Sequence, residues 1–193
     1  MTTVAPRIDD YEVSVLLADP PWKFGDGLPG KSRGAAKNYS VLTVQEIMRF
    51  PLPRFTESAI LFLWRVSSMQ AEALKVVDAW GFTVKSEIVW GKFRASGKPW
   101  FGMGRYVRAA HETCLVCTRG RYKVASRSVP SRFSARVPLA PDGSHLHSGK
   151  PPEFYEIVER LTHPGEAKME LFARKARPGW VSFGEAGLLV PGP

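Results

Sequence analysis

Short apolar segments alternate along this chain with segments whose apolar residues recur at helical spacing. Val13–Ala18, apart from Ser14, and Ala59–Trp64 are runs of apolar residues, as strands are when both faces of their sheet are covered. From Met69 to Trp80 the apolar residues instead recur every three or four positions, which is typical of an amphipathic helix. This alternation predicts an α/β fold with an open, mostly parallel sheet.

The same patterns set the boundaries of the predicted elements. Capping-box patterns at Thr43–Glu46 and Ser67–Gln70 begin two helices, and Pro151 and Pro152 suit the first turn of a third that runs to about Leu161. The predicted strands are Val13–Ala18, Ala59–Trp64, Phe82–Trp90, Glu112–Thr118, Met169–Ala173 and Val181–Phe183. Since ligands bind beyond the carboxyl ends of such strands, the residues that follow each strand are the first candidates for a site.

Length and composition narrow the class of protein. With 193 residues we expect a single domain over positions 1–193. Its longest apolar run has six residues, against the roughly 20 that a membrane helix needs, so we expect no membrane span. No secretory signal is visible in positions 1–10, and two cysteines make no disulfide framework, so a reducing cytoplasm is expected.

Positive charge is concentrated in one part of the chain. The formal net charge is +9, yet positions 92–136 hold eleven lysines and arginines and a single acid, Glu112. Aromatic residues are interleaved with these charges: Trp100, Phe101, Tyr106, Tyr122 and Phe133. The combination favours nucleic acid as a partner, with an anionic membrane second and a merely solvated basic surface as the alternative. Positions 23–38, 92–110 and 119–148 are predicted to be loops that flank a site.

The most specific motif directly follows the first predicted strand. Asp19-Pro20-Pro21-Trp22 places a carboxylate, an exposed Pro20 carbonyl and a large ring at a strand end, and neither proline nitrogen can donate a hydrogen bond. Two acceptors suit a planar exocyclic amine with two hydrogens, and Trp22 could stack on the ring that bears it. The alternative is structural, because proline and aspartate commonly end strands.

Other chemistries find weak support. Cys114 and Cys117 lie three apart in a predicted strand, so they should face opposite sides and be buried, which disfavours a nucleophilic thiol that attacks cytosine C5. One C-x-x-C pair with His111 lacks the second ligand pair of a structural zinc site, so no metal is assigned.

Six ordered blocks resemble the MT-A70 family of S-adenosylmethionine-dependent adenine N6-methyltransferases, in its short stand-alone bacterial and phage form. The blocks are Asp19–Trp22, Leu61–Trp64, Glu87–Lys92, Arg108–Glu112, His147–Pro151 and Lys168–Arg174 with Gly179-Trp180. The resemblance implies a Rossmann-like class I methyltransferase fold, three-layer αβα, circularly permuted (β-type order) with the cofactor strand late in the chain. It also implies a location in the cytoplasm of a bacterial or phage-infected cell.

The resemblance further implies a set of site residues. Those for catalysis are Asp19, Pro20, Pro21 and Trp22. Those for S-adenosyl-L-methionine are Asp19, Pro20, Lys150, Pro151, Glu170, Phe172, Arg174, Gly184 and Glu185, with Glu170 on the ribose hydroxyls. Those for the substrate are Asn38, Tyr39, Trp64, Lys92, Arg105, Arg108, His111 and Glu112. Each of these substrate residues also has a structural alternative. Tyr39 and Trp64 could simply pack in the core, and the basic residues could lie in a solvated loop. His111 and Glu112 could anchor their strand.

The implied reaction is methylation of adenine N6 in nucleic acid, with DNA favoured over RNA by analogy and the target base flipped out or single-stranded. Two alternatives remain open. One is a catalytically silent nucleic-acid-binding or scaffold protein of the same fold. The other is methylation of cytosine N4 or a small amine by the same pair of acceptors. A homodimer is a further open point.

Overall fold

A computed structural model describes residues 6–23, 41–102, 106–140, 142–144, 146, 149–184 and 187–189. Its strands are β1 (Glu12–Ala18), β2 (Arg54–Arg65), β3 (Thr83–Phe93), β4 (His111–Arg119), β5 (Arg132–Arg136), β6 (Lys168–Leu171), β7 (Val181–Gly184) and β8 (Gly187–Leu189). Its helices are α1 (Val44–Met48), α2 (Gln70–Ala79) and α3 (Pro152–Leu161), with short 3-10 turns at Ile8–Asp10 and Ser67–Met69.

The described strands form one sheet in the order β5-β3-β4-β2-β1-β6-β7-β8. Six of them share a direction, while β4 runs antiparallel to β2 and β3, and β8 runs antiparallel to β7. The predicted Rossmann-like α/β class with a mostly parallel sheet is therefore confirmed. None of the helices in the described part of the chain has the length and apolar character needed to cross a bilayer.

Two layers of helix cover the sheet, which explains why its central strands are apolar on both faces. Leu16 and Leu61 point to one face, where they pack with residues of α1 and α2. Leu17 and Phe62 point to the other face, where α3 contributes Phe154 and its apolar neighbours. The side chains of a strand alternate between faces, so a strand buried on both sides shows no polar alternation in its sequence.

One local prediction is confirmed and two differ from the structure. The predicted capping box at Thr43 is present, because Glu46 N–H donates to Thr43 Oγ1 at 3.3 Å and Thr43 N–H donates to the Glu46 carboxylate at 2.7 Å. The one predicted at Ser67 is wrong: those residues form a 3-10 turn, and α2 starts without a side-chain cap. The predicted loop 119–148 is also wrong at β5, which is an edge strand whose exposed residues are polar.

The position of β1 in the sheet creates a crevice. It pairs in parallel with β2 on one side and with β6 on the other, so that Leu17 lies between Phe62 and Glu170. The chain leaves β1 towards β2, whereas β6 leads away to β7 on the opposite side. The connections therefore diverge above the carboxyl ends of β1 and β6, which is where open α/β sheets bind ligands. A late strand beside the first one is the permuted order that the resemblance implies.

Part of the basic region lies far from that crevice. Because β4 is antiparallel, it ends at Arg119 beside Ala59, near the amino ends of the other strands. The Arg119 guanidinium lies 5.2 Å from the ring of Phe55, which belongs to the beginning of β2. The backbone then continues along the far end of α3, where Ala125 N–H donates to the Leu161 carbonyl. The prediction that the whole of 119–148 flanks the site is therefore wrong for its first residues.

Candidate active site

Asp19 lies directly after β1, at the crevice, with a side chain that is 24% exposed. The next residues form a tight turn, because Trp22 N–H donates to the Pro20 carbonyl at 2.8 Å. Leu42 N–H then donates to the Pro21 carbonyl, also at 2.8 Å, and holds the turn against the segment that leads into α1. Proline has no N–H to offer to a strand partner, so the pair ends β1 and leaves Asp19 at its tip.

The Pro20 carbonyl is less available than the sequence indicates. Pro20 is buried, and its carbonyl oxygen already accepts the Trp22 N–H. A carbonyl oxygen has two lone pairs, so one acceptor position remains for another donor. The prediction of an exposed carbonyl is therefore wrong, while its capacity to accept a second hydrogen bond is retained.

Trp22 is a core residue, which contradicts its predicted role as a stacking surface. It is 4% exposed, and its indole N–H donates to the Trp64 carbonyl at 3.0 Å. A ring buried to this extent has no free face for a base. Its contact with the main chain of β2 instead fixes the turn that carries Asp19.

Lys150 connects Asp19 to a second carboxylate. Its ammonium lies 2.5 Å from Asp19 Oδ2 and 3.4 Å from Glu112 Oε2, and its side chain is 6% exposed. Glu112 also pairs with Lys92, so that Asp19, Lys150, Glu112 and Lys92 alternate in charge. We call these four residues the charged relay. They come from four separate segments of the chain and meet at the carboxyl end of the sheet.

Burial and pairing shift the pKa values within the charged relay. Burial raises the pKa of the Asp19 carboxyl above its usual range, although the nearby Lys150 ammonium opposes the shift. Burial also opposes ionisation of Glu112, but Lys150 and Lys92 outweigh it and lower the pKa of that carboxyl. Burial disfavours the charged form of Lys150 too, yet Asp19 and Glu112 overcome this and raise its pKa, so Lys150 is a cation at neutral pH.

Two predicted substrate residues have structural roles in the relay. Trp64 is 2% exposed and packs against Phe154 with ring centroids 4.5 Å apart, so it does not wall an open base pocket as predicted. Its ring supports the Lys150 ammonium, which lies 5.0 Å from the ring centroid. Lys92 was predicted to contact phosphate, but its side chain is 15% exposed and its charge is matched by Glu112.

Glu170 occupies the strand beside β1, and its side chain is 13% exposed. Its Oε1 accepts the Tyr155 hydroxyl at 2.9 Å, while its Oε2 lies 3.9 Å from Arg177 Nε. Burial raises the pKa of the carboxyl, and the Tyr155 hydrogen bond opposes the shift. Because the contact of Oε2 is long, the carboxylate keeps acceptor capacity for hydroxyl groups, and so it fits the ribose of the expected cofactor.

The other predicted cofactor residues that the structure describes follow β6, end β7 or precede α3. Phe172 has a φ of +61°, a conformation that is strained for a residue with a Cβ, and its ring packs 4.6 Å from that of Phe50. Arg174 is exposed and close enough to Asp19 to act on it electrostatically. Gly184 is buried at the end of β7, and Pro151 is the N-cap of α3.

The predicted phosphate contacts are only partly visible. Arg108 is exposed, its Nε donates to the Gly102 carbonyl at 2.7 Å, and it precedes β4 at the carboxyl side of the sheet. His111 is exposed at the start of β4. Asn38, Tyr39, Arg105 and Glu185 lie outside the described residues.

Tyr155 and Arg177 are site residues that the sequence reasoning missed. The Arg177 guanidinium stacks on the Tyr155 ring, 3.2 Å from its centroid, and both contact Glu170. One signal was present: Tyr155 adjoins the apolar stripe of α3 that includes Phe154, so it had to lie at the edge of that helix's buried face.

The two cysteines are buried on opposite faces of the sheet, as predicted. Cys114 packs in the core under α3 and Cys117 in the core under α1 and α2. Burial raises the pKa of Cys117 to about 12 and also raises that of Cys114, so both are neutral thiols at physiological pH. Within the described ranges no group of His, Cys, Asp and Glu is arranged to hold a metal ion.

One mostly parallel sheet lies between two layers of helix, and the charged groups lie at its switch point, the crevice where the connections from β1 and β6 diverge. This arrangement defines a Rossmann-like protein whose site is built from strand ends. A family model described as MT-A70 matches residues 13–186, and the chain belongs to the MT-A70 family. It is 31% identical over 180 residues to "N(6)-adenine-specific methyltransferase METTL4" of Mus musculus, an alignment that covers 88% of this chain and 36% of that protein.

Two further relatives extend the comparison. "N(6)-adenosine-methyltransferase catalytic subunit METTL3" of Homo sapiens is 29% identical over 89% of this chain and 27% of its own length. "Type II methyltransferase M.MunI" of Mycoplasma sp is 27% identical over 94% of this chain and 80% of its own length. The chain thus spans about a third of the mammalian relatives and most of the bacterial one.

Proposed function

We propose that this chain methylates the N6 amino group of adenine in nucleic acid, with S-adenosyl-L-methionine as donor and DNA favoured over RNA. The observation that carries the proposal is the placement of Asp19 at the switch point, one strand away from Glu170. Membership in the MT-A70 family and relatives named for N6-adenine methylation support it. The match to a type II methyltransferase over most of its length supports DNA.

The acceptors at the tip of β1 suit an aromatic amine. The Asp19 carboxylate and the free lone pair of the Pro20 carbonyl accept its two hydrogens, which reduces the delocalisation of the nitrogen lone pair into the ring and orients the amine. S-adenosylmethionine supplies a methyl group on an electrophilic sulfonium. Glu170, in the strand beside β1, would hold the ribose hydroxyls of that cofactor, so the ends of two neighbouring strands would position both reactants.

Lys150 must share Asp19 with the substrate. Its contact with Asp19 Oδ2 leaves Oδ1 as the acceptor for an incoming amine. Its second contact, with Glu112, gives the ammonium an alternative anchor if the amine takes both oxygens. The charged relay therefore leaves Asp19 an acceptor for the substrate, and the Lys150 ammonium opposes the burial that raises the pKa of the Asp19 carboxyl.

Methyl transfer tests the proposal directly. The purified chain is incubated with labelled S-adenosylmethionine and matched single- and double-stranded DNA and RNA, and the products are digested to nucleosides for mass analysis. We expect N6-methyladenine. Detection of N4-methylcytosine instead would identify cytosine as the substrate. If the chain neither transferred a methyl group nor bound the cofactor, it would be a silent binding protein.

Asp19→Asn tests the role of the carboxylate. Loss of a charge-assisted hydrogen bond, worth about 1.5–3 kcal/mol, should lower the rate of transfer tenfold to hundredfold. Asp78→Asn is the matched control, because Asp78 is exposed on α2 at a distance from the crevice. Equal rates for the wild type and the Asp19 variant would contradict the mechanism, provided that both have the same far-UV circular dichroism.

A further inference from the structure

Beyond the sheet, β3 continues into a short hairpin. Phe93 bridges Pro99 in an antiparallel sense, Arg94 N–H donates to the Lys98 carbonyl at 2.8 Å, and Gly97 makes the turn with a φ of +75°. Trp100 N–H donates to the Lys92 carbonyl at 3.0 Å. We call residues 93–100 the hairpin. Since Lys92 is at its base and also belongs to the charged relay, the hairpin projects from the rim of the crevice.

A groove of about 520 Å³ runs along the hairpin, lined by Arg94, Ser96, Lys98, Pro99 and Phe101. Two of these residues are cations and none is acidic. Phe101 is 49% exposed, so a large part of its ring is available for contact. The groove therefore combines an apolar ring with positive charge and is open to solvent.

The structure separates Phe101 from the other aromatic residues of the basic region. Tyr122 donates its hydroxyl to Glu166, near the far end of α3, and Phe133 packs on Phe154 in the core. The ring of Trp100 is covered by the Arg94 guanidinium, at 5.3 Å. Tyr106 is exposed but is not among the residues that line the groove. Phe101 thus combines an exposed ring with two neighbouring cations.

We infer that this groove binds one unpaired nucleotide beside the target base, with the base stacked on Phe101 and its phosphate held by Arg94 and Lys98. The inference rests on the proposed function and specifies where the strand next to the target runs. Base–aromatic stacking tolerates any sequence, and the two cations match a phosphate. Arg94 lies two residues beyond Lys92 along an extended backbone, which is a distance of about 7 Å. Because Lys92 belongs to the charged relay, the groove is near enough to the site to hold a nucleotide next to the target base in the same nucleic-acid chain.

Binding of single-stranded DNA tests the inference without relying on methyl transfer. The probe is a fluorescein-labelled oligonucleotide of about 12 nucleotides with one adenine, measured by fluorescence anisotropy at fixed salt. Phe101→Ala should weaken binding about fivefold to a hundredfold, because it removes the ring on which the base stacks. Phe101→Trp should retain binding close to that of the wild type, because it keeps an aromatic ring there. Leu74→Ala is the matched control, since Leu74 is a similarly exposed apolar residue on α2.

An abasic scan identifies the bound nucleotide. One probe is made for each position with that base removed. We expect one position, adjacent to the adenine, where removal of the base weakens binding to the wild type by the same factor as Phe101→Ala and leaves the variant's affinity unchanged. Identical scan profiles for wild type and variant would overturn the inference, as would a Phe101→Ala effect confined to self-association in sedimentation velocity.

The failures of the two proposals are distinguishable. A wild type that binds the probe through Phe101 but transfers no methyl group would refute the proposed function and support the groove. If the wild type methylates adenine and the Phe101→Ala variant has the same KM for the oligonucleotide, the proposed function is supported and the groove is refuted.

Discussion

Lys150 shows how the site holds buried charges. Its ammonium is nearly inaccessible to water, and it is flanked by the carboxylates of Asp19 and Glu112 and supported by the ring of Trp64. Removing such charges from water costs several kcal/mol each unless they are paired. The pairing here is shared, because each inner member of the relay has two partners of opposite charge. Substitution of an inner member should therefore affect the whole site.

Glu112→Gln tests this coupling through stability. Because Lys150 and Lys92 lower the pKa of Glu112 in the folded state, the ionised carboxylate stabilises the fold above its ordinary pKa of about 4.5, and this contribution is lost as the pH falls through the lowered value. We expect the variant to lose about 1–3 kcal/mol of unfolding free energy at pH 7, less than for a fully buried pair because Glu112 is 29% exposed. Urea unfolding at several pH values measures it, and the loss should shrink at acid pH.

Glu87→Gln is the matched control at the same sheet. Glu87 pairs with Arg65 at 3.6 Å and its side chain is 50% exposed, so its removal should cost about 0–1 kcal/mol. If Glu112→Gln were no more costly than this control, or if its cost were independent of pH, the relay would not hold the site as described.

At the scale of elements, continuous apolar runs predicted β1 and β2 because both faces of these strands are buried. The same reasoning missed β5, in which only Phe133 and Ala135 are apolar and whose pairing depends on the extended β3. The motif after β1 located the site, since strand ends bind ligands. Whether Trp22 and Trp64 faced a pocket or the core was not predictable, because their surroundings come from segments far apart in the sequence.

The turn after β4 gives a test at this scale. Gly120 has a φ of +61°, and a Cβ there would lie 2.3 Å from the Glu57 carbonyl oxygen and 2.8 Å from Ser58 Oγ. Gly120→Ala adds this clash with main chain to the left-handed strain of about 1–2 kcal/mol. We therefore expect it to lower the melting temperature well beyond the effect of strain alone.

Gly81→Ala isolates the strain, because Gly81 has a φ of +75° but an added Cβ would meet no neighbouring atom within 4 Å. It follows α2 at the C′ position, where a left-handed residue is common. Calorimetry of both variants compares them. Equal losses of melting temperature would show that the β2–β4 edge yields to the added methyl group.

At the scale of the whole molecule, the positive charge is divided between two edges of the sheet. Arg94, Lys98 and Arg108 lie at the carboxyl edge with Asp19, whereas Arg119 and Arg121 lie at the amino edge, where Arg121 N–H donates to Ser58 Oγ. The sequence places all of them in one basic stretch. Because the fold separates them, only some of these basic residues can contact a nucleic acid at the crevice, and the net charge of the stretch overstates their number.

This division predicts different salt dependences for two arginines of equal charge. A phosphate contact with single-stranded DNA contributes about 0.7 to the slope of log affinity against log salt, because it releases counterions. Arg108→Gln, at the carboxyl edge, should reduce the slope by about this amount, whereas Arg121→Gln, exposed at the amino edge, should leave it unchanged. Both remove one charge, so any effect of net charge alone is the same for the two. Anisotropy titrations at four or more salt concentrations measure the slopes, and equal slopes for the two variants would mean that the strand does not run along the carboxyl edge.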